Sequence, residues 1–88
     1  MSALTTEAIE STIKRILVVD AYLEVEEDSI LLTQELAGEL GLDSLGFTEL
    51  RVQCERRFSV RIPEEDFNST RFRSVASVRD LIVELTHC

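Results

Sequence analysis

Apolar residues recur at steps of three and four along three stretches of the chain, the spacing that brings side chains onto one face of an α-helix. The three stripes are Ile9, Ile13, Ile16 and Leu17; Phe47, Leu50, Cys54 and Phe58; and Val75, Val78, Ile82 and Leu85, with Leu81 beside the last. Strand-like alternation is limited to residues 58–62, FSVRI, which have no obvious partner strand. The pattern therefore predicts an all-α protein with three longer helices.

Capping and helix-breaking residues set the limits of these helices. We expect the first helix to begin after Thr5 or Thr6 and to fade near residues 22–23, and the last to begin after Ser74. Pro63 precedes three acidic residues, which is typical of a short helix with proline at its first position. The expected architecture is a four-helix bundle of three longer helices and one short helix.

A long loop connects the first two helices. Residues 24–39, EVEEDSILLTQELAGE, are too acidic at their start for a core element. The apolar residues expected to hold this connection against the bundle are Ile30, Leu31, Leu32, Leu36 and Leu40. A long loop held down in this way usually covers something or carries function. We also expect a short helical piece around residues 31–38.

Length, charge and cysteine content narrow the classes of function. The 88 residues are enough for one domain, which we expect to span residues 1–88. The formal net charge of −8 argues against nucleic acid and anionic membranes as partners and favours proteins with basic docking surfaces. Two cysteines, no signal-peptide pattern and no apolar run of about 20 residues indicate a soluble, cytoplasmic protein, which we expect to be a monomer. One histidine and scattered cysteines lack the spacing of a metal site.

The step Asp43-Ser44-Leu45, at the predicted start of the second helix, is the candidate functional motif. Asp43 is a favourable N-cap, and Leu42 and Phe47 stand where a hydrophobic staple places its two apolar residues. In the simplest interpretation the motif is a helix cap alone. That interpretation explains Asp43, but it leaves Ser44 at the first helical position, pointing outward and without a structural role.

Another interpretation makes Ser44 a hydrolytic nucleophile, because Asp-Ser-Leu also resembles the motif of the GDSL hydrolases. Leu42 stands where those enzymes have glycine, and they are doubly wound sheets far longer than this chain. The only histidine is His87, and Glu84 stands where those enzymes have an aspartate. Since a serine nucleophile needs a nearby base, hydrolysis is disfavoured and no residue is assigned a catalytic role.

The remaining interpretation is that Ser44 is a site of covalent attachment. The first turn of a helix presents unpaired N–H groups and the positive end of the helix dipole, which favour an anionic phosphodiester by about 0.3–1 kcal/mol. Such a serine needs no base of its own, because another enzyme performs the transfer. The lack of a catalytic partner for Ser44 fits this interpretation.

Residues 39–67, ELGLDSLGFTELRVQCERRFSVRIPEEDF, resemble the acyl carrier protein family, and the similarity covers nearly the whole chain. The resemblance implies a non-catalytic phosphoprotein in which Ser44 carries 4′-phosphopantetheine, transferred from coenzyme A by a phosphopantetheinyl transferase with Mg²⁺. The thiol of this arm would hold an acyl or aminoacyl group as a thioester. A loading enzyme would attach that group, and ketosynthases, acyltransferases or other tailoring enzymes would receive it.

The resemblance also places partner recognition at the start of the second helix, with Leu45 in an exposed apolar spot. The residues assigned to partner recognition are Asp43, Leu45, Gly46, Glu49, Arg51 and Arg56. In fatty-acid carriers this helix is strongly acidic, whereas here Arg51, Arg56 and Arg57 make its charge mixed. The mixed charge is either a solvated face or a changed docking surface. Because glycine costs up to about 1 kcal/mol inside a helix, either the helix tolerates Gly46 near its end or a partner or the arm needs close approach there, and we favour close approach.

We interpret the chain as a free-standing acyl carrier protein, since it begins and ends at the bundle, serving polyketide or other specialised biosynthesis. A fatty-acid carrier and an aminoacyl carrier are the alternatives within the class. The motif GLDSL differs from the Gly-Gly-x-Ser of many peptidyl carriers, which favours an acyl role. An unmodified helical adaptor with the same fold is the alternative from another class, and the presence of Ser44 argues against it.

Overall fold

Three α-helices form the body of the protein in the computed structural model, which describes residues 5–86. They are α1 (Thr6–Arg15), α2 (Ser44–Phe58) and α3 (Val75–Thr86). Single 3₁₀ turns form at Glu27–Ser29 and Glu64–Asp66, and no strand occurs within the described range. The prediction of an all-α bundle with a long first connection is confirmed. The expectations for His87 and Cys88 lie outside the described residues.

Helix α1 begins and ends with local hydrogen bonds that the sequence predicts only in part. The side chain of Thr5 accepts a hydrogen bond from the N–H of Ala8 at 3.0 Å, which confirms the predicted start. After Arg15 the chain continues as a π-helical turn, Ile16–Asp20, whose wider winding the apolar spacing did not predict. The helical segment ends just before Tyr22, close to the predicted position.

A single hydrophobic core holds the helices together. Helix α1 packs against α3, and α2 packs against the π-helical turn that extends α1. The core side chains are Ile9, Ile13, Ile16, Leu17, Ile30, Leu36, Leu42, Leu50, Cys54, Phe58, Ile62, Phe72, Val75, Val78, Leu81 and Ile82. At the edge of this core, an ion pair of 2.7 Å between Glu10 and Arg79 joins α1 to α3. The predicted apolar stripes therefore face one another.

The long connection between α1 and α2 is fixed by side chains and by backbone. Ile30 and Leu36 are buried in the core, whereas Leu31 is 61 % exposed. The N–H of Leu36 donates to the carbonyl of Arg73 at 2.8 Å, which ties the connection to the segment before α3. The expectation that apolar residues hold the connection down is confirmed for Ile30 and Leu36 and is wrong for Leu31.

The predicted helical piece around residues 31–38 does not form, and the segment is a series of turns. Its backbone N–H groups have partners outside a helix. The side chain of Gln34 accepts from the N–H of Leu31 at 2.8 Å, and the side chain of Glu39 accepts from that of Glu35 at 2.9 Å. Because these N–H groups already have hydrogen-bond partners, they would gain no further bond from the hydrogen bonds of an α-helix.

The short helix predicted after Pro63 forms as a single 3₁₀ turn, Glu64–Asp66. Pro63 has extended backbone angles, φ −62° and ψ 152°, so it precedes the helical turn as its cap instead of being its first residue. The helical backbone ends at Phe67, and the side chain of Asn68 then accepts N–H groups of the following loop, including that of Arg71 at 2.8 Å. Because this side chain fixes a turn directly after Phe67, only one 3₁₀ turn forms.

Candidate functional site

The cap of α2 builds the candidate site. Asp43 has extended backbone angles, φ −93° and ψ 179°, and its Oδ1 accepts the N–H of Gly46 at 2.8 Å. Its carbonyl accepts the N–H of Phe47 at 2.9 Å, and Leu42 before it is buried. The predicted N-cap is confirmed, and a carboxylate at this end also complements the helix dipole.

Ser44 is the first residue of α2 and is exposed. Its backbone carbonyl accepts a hydrogen bond from Oγ1 of Thr48 at 3.0 Å, but its own hydroxyl has no hydrogen-bond partner in residues 5–86. The hydroxyl is therefore accessible, and it lies where a helix favours negative charge. An exposed serine oxygen in the first turn of a helix fits a phosphodiester-linked group, with the bulk of that group outside the bundle.

The residues after Ser44 differ sharply in exposure. Leu45 is 80 % exposed, as expected of an apolar contact for another protein. Gly46 is buried, and an added Cβ would lie 2.4 Å from Cδ1 of Leu42. The chain's own Leu42 thus makes a close approach to Gly46, and the assignment of Gly46 to partner recognition stays a prediction. Glu49 is half-buried, and its carboxylate accepts from the side chain of Gln53 at 2.9 Å.

Arg51 makes contacts within the chain. Its Nη2 donates to the carbonyl of Ile62 at 2.8 Å, and its Nη1 lies 3.4 Å from a carboxylate oxygen of Glu64. The guanidinium carbon also lies 4.8 Å from the centre of the Phe67 ring, within the range of a cation–π contact. Arg51 therefore joins α2 to the 3₁₀ turn through its guanidinium, and its assignment to partner recognition stays a prediction.

The two arginines in the last turn of α2 have different surroundings. Arg57 forms an ion pair of 3.3 Å with Asp20, which connects the end of α2 to the π-helical turn. Arg56 is exposed and forms no ion pair in the described part of the chain. Of the three arginines on α2 considered for docking, Arg56 is the one that is exposed to solvent without an ion-pair partner among the described residues.

Two depressions flank the first turn of α2. The larger, a cleft of about 560 Å³, is lined by the rings of Phe47, Phe67 and Phe72, with Glu35 and Arg73 at its polar edge. The smaller, a groove of about 330 Å³, is lined by Asp20, Ala21, Tyr22, Asp43, Leu45, Gly46, Thr48 and Glu49. The sequence analysis did not single out Tyr22. The one hint in the sequence is that a tyrosine follows the apolar stripe at a position where glycine commonly ends a helix.

Other reactive groups do not add a second site. Cys54 is a free, buried thiol, and burial raises its pKa from 9.0 to about 12, which keeps it protonated and unreactive. Residues 5–86 hold no cluster of three or more histidines, cysteines or carboxylates arranged for a metal ion. Within the same residues, no helix has the length and apolar character that crossing a membrane requires.

Comparison with known proteins identifies the family. The model of the phosphopantetheine attachment site family matches residues 11–82, which include all of α2 and most of α3. The chain belongs to the acyl carrier protein family. An acyl carrier protein from Rickettsia bellii is 33 % identical over 76 residues, covering 86 % of this chain and 89 % of the relative.

Two further relatives carry other names. A D-alanyl carrier protein from Streptococcus suis is 31 % identical over 65 residues, covering 74 % of this chain and 82 % of its own length. A carrier protein from Agrobacterium tumefaciens, crystallised with an engineered Bradyrhizobium japonicum glycine:[carrier protein] ligase and ATP, superimposes with a TM-score of 0.76 and 27 % identity. That match covers 88 % of this chain and 97 % of the Agrobacterium chain.

Membership of the acyl carrier protein family fixes the general chemistry. The protein is a non-catalytic carrier with covalently attached 4′-phosphopantetheine, which presents substrates to partner enzymes. When bound, the arm supplies a thiol that forms thioesters. The chain's own contribution is the surface that it presents to those enzymes.

The Asp43 cap gives a stability prediction for this carrier protein. Replacing Asp43 by alanine removes the acceptor of the Gly46 N–H, so we expect the free energy of unfolding to fall by about 1 kcal/mol. Urea denaturation followed by circular dichroism measures this difference. Asp43→Asn is the matched control, because asparagine caps about as well as aspartate, and it should lose only a few tenths of a kcal/mol. Equal losses in the two variants would show that charge, not the cap hydrogen bond, is what matters.

Proposed function

We propose that the protein carries acyl groups as thioesters on a 4′-phosphopantetheine arm attached to the oxygen of Ser44. The observation that supports this assignment is the division of roles at the start of α2. Asp43 makes the capping hydrogen bond, while the exposed Ser44 hydroxyl has no partner among the described residues. An accessible hydroxyl at a helix end, with no structural role, suits a group that another enzyme installs.

The attachment reaction balances with Ser44 as the acceptor. The serine oxygen forms a bond to the phosphorus of the pantetheine phosphate, and the pyrophosphate bond of coenzyme A breaks. Adenosine 3′,5′-bisphosphate leaves, and the serine proton passes to a base on the transferase. The N-terminal turn of α2 then faces a phosphodiester, whose charge the helix dipole stabilises by about 0.3–1 kcal/mol.

We further propose a single cytoplasmic carrier domain that serves polyketide or other specialised biosynthesis, with ketosynthases, acyltransferases or tailoring enzymes as partners. One core that includes residues from Ile9 to Ile82 supports a single domain, and the free thiol of Cys54 suits a reducing compartment. The unpaired charge of Arg56 on α2 supports a specialised pathway, because a cation there would repel basic surfaces that suit an acidic helix.

An aminoacyl carrier is a second candidate, and the comparisons favour it specifically. One relative is a D-alanyl carrier protein, and one structural neighbour was crystallised with a glycine:[carrier protein] ligase. Both proteins resemble this chain along most of their length. The arm and its site would be the same, and only the group on the thiol would differ.

A loading experiment separates these candidates. The arm-bearing protein is offered malonyl-coenzyme A with a polyketide or a fatty-acid malonyl transferase, or ATP, an amino acid and an adenylating ligase, and thioester formation is followed by mass. We expect faster loading by the malonyl transferases than by the ligase. Preferential loading by the ligase would replace the acyl assignment with the aminoacyl one.

Arg56→Glu tests the pathway within the same assay. Replacing this unpaired cation of α2 by a carboxylate should speed loading by the fatty-acid transferase about two- to fivefold, because surface charges act mainly on association rates. Arg61→Glu is the matched control, since Arg61 is also exposed but lies outside α2. Unchanged rates for Arg56→Glu would contradict the link between this charge and partner choice.

A further inference from the structure

Tyr22 has a backbone conformation that its residue type rarely adopts. It follows the π-helical turn directly, with φ +61°, in the left-handed region. The residue just past a helix end is usually glycine when it takes this conformation, because a Cβ then crowds the following carbonyl. Tyrosine at this position therefore makes folding less favourable than glycine would.

The side chain of Tyr22 is too exposed to contribute much packing to the fold. It is 82 % exposed, the largest exposure among the exposed large apolar side chains of the described residues. Its neighbour Leu23 is partly buried against the core, so Leu23 and not the tyrosine ring anchors this part of the chain. An aromatic side chain kept in a strained conformation and held out in solvent indicates a contact outside the chain.

A second exposed apolar side chain lines the same groove as Tyr22. Both Tyr22 and the 80 % exposed Leu45 line the groove of about 330 Å³ that adjoins Ser44 along the first turn of α2. Asp20, Asp43 and Glu49 line it as well. Arg57 neutralises Asp20, whereas neither Asp43 nor Glu49 forms an ion pair with another described residue. The groove is thus apolar at its edges and negatively charged.

We propose that Tyr22 and Leu45 form the two edges of a docking groove for the phosphopantetheinyl transferase, with the Tyr22 ring against an arginine or lysine of that enzyme. The inference rests on the proposed attachment at Ser44. The transferase binds coenzyme A, whose phosphates require cationic side chains near its active site. To reach Ser44, that cationic rim must lie against the surface that contains the groove. Charge complementarity and a cation–π contact with Tyr22 then hold it in place.

Binding can be measured apart from the transfer reaction. In the Ser44→Ala background no arm can attach at that position, so the affinity of a broad-specificity phosphopantetheinyl transferase is determined by titration calorimetry. We expect Tyr22→Gly to weaken binding about tenfold and Tyr22→Phe to change it by less than about twofold, since phenylalanine keeps the ring. Leu31→Ala, which removes another exposed apolar side chain away from the groove, is the control and should leave the affinity unchanged.

Folding stability supplies an independent readout. Because glycine suits φ +61°, Tyr22→Gly should raise the folding equilibrium constant by about fivefold or more while it weakens binding. Equal affinities of the transferase for the Tyr22→Gly variant and its parent, or no affinity for either of them, would overturn the inference. Failure of the proposed function is a different result, namely no mass gain on the protein with Ser44 intact in the presence of coenzyme A, whatever the affinities are.

Discussion

Replacing Ser44 by alanine is expected to abolish attachment of the phosphopantetheine arm while changing the free energy of unfolding by less than about 0.5 kcal/mol. The loss is complete because the oxygen that forms the phosphodiester is gone. The fold is spared because Asp43 supplies the cap and the Ser44 hydroxyl makes no hydrogen bond within residues 5–86. Intact mass after incubation with coenzyme A, Mg²⁺ and a transferase reports attachment, and urea denaturation reports stability.

Ser11→Ala is the matched control for this experiment. Ser11 is also an exposed serine on a helix, in the middle of α1, and its removal should leave both attachment and stability unchanged. A mass gain on the Ser44→Ala protein would show that another residue is modified. A stability loss of several kcal/mol would instead make Ser44 a structural residue.

Leu36→Ala is expected to lower the free energy of unfolding by about 2–5 kcal/mol, a large part of the roughly 5–15 kcal/mol of a typical domain. The Leu36 side chain is fully buried although it belongs to the connection between α1 and α2. Its N–H bonds to the carbonyl of Arg73, and its carbonyl accepts from the N–H of Leu42, both at 2.8 Å. A cavity at this point would therefore loosen the segments that lead into α2 and α3.

Leu31→Ala makes the same chemical change five positions earlier in the connection, at a side chain that is 61 % exposed. Its effect should stay within about 0.5 kcal/mol. Urea denaturation of the two variants and the wild type provides the comparison. Similar small losses in both variants would show that the connection is a detachable loop and not a part of the core.

Much of the fold could be predicted because helix packing leaves a periodic signal. The stripe from Phe47 to Phe58 lies on a helix whose capping residue, Asp43, was predicted from its side-chain chemistry. The left-handed residue that ends α2 is Ser59. Short polar side chains at helix ends have few alternative roles, so such predictions are specific.

The features that the sequence did not predict are contacts of long side chains and details of the backbone. The sequence suggests that Arg51 is a surface charge. Its side chain is long enough, however, to reach the carbonyl of Ile62 and the ring of Phe67. Which contact a flexible arginine makes depends on the position of the segment after α2, which spacing along the helix does not encode. The π-helical turn and the left-handed Tyr22 likewise follow from how α1 meets its connection.

The proposal of Ser44 as the attachment site comes from the sequence, because it combines a local rule with a family resemblance. The preference of aspartate for the N-cap position explains Asp43 and leaves Ser44 without a structural role. The family resemblance suggests a role for Ser44, which is to carry the arm. The surface around the site was less predictable. Leu45 is exposed as expected, whereas Gly46 is buried because Leu42 folds back against the first turn. Leu42 precedes the helix, so the period of α2 carries no information about it.

Locating the phosphopantetheine arm on the wild-type protein by mass spectrometry shows whether it is joined to Ser44. The protein is incubated with coenzyme A, Mg²⁺ and a broad-specificity transferase, digested with trypsin and sequenced by tandem mass spectrometry. Cleavage after Arg15 and Arg51 gives a peptide that contains both Ser29 and Ser44, so fragment ions distinguish the two. A single phosphopantetheinyl group on Ser44 is the predicted result. A group on Ser29 or any other residue, or no group at all, would contradict it.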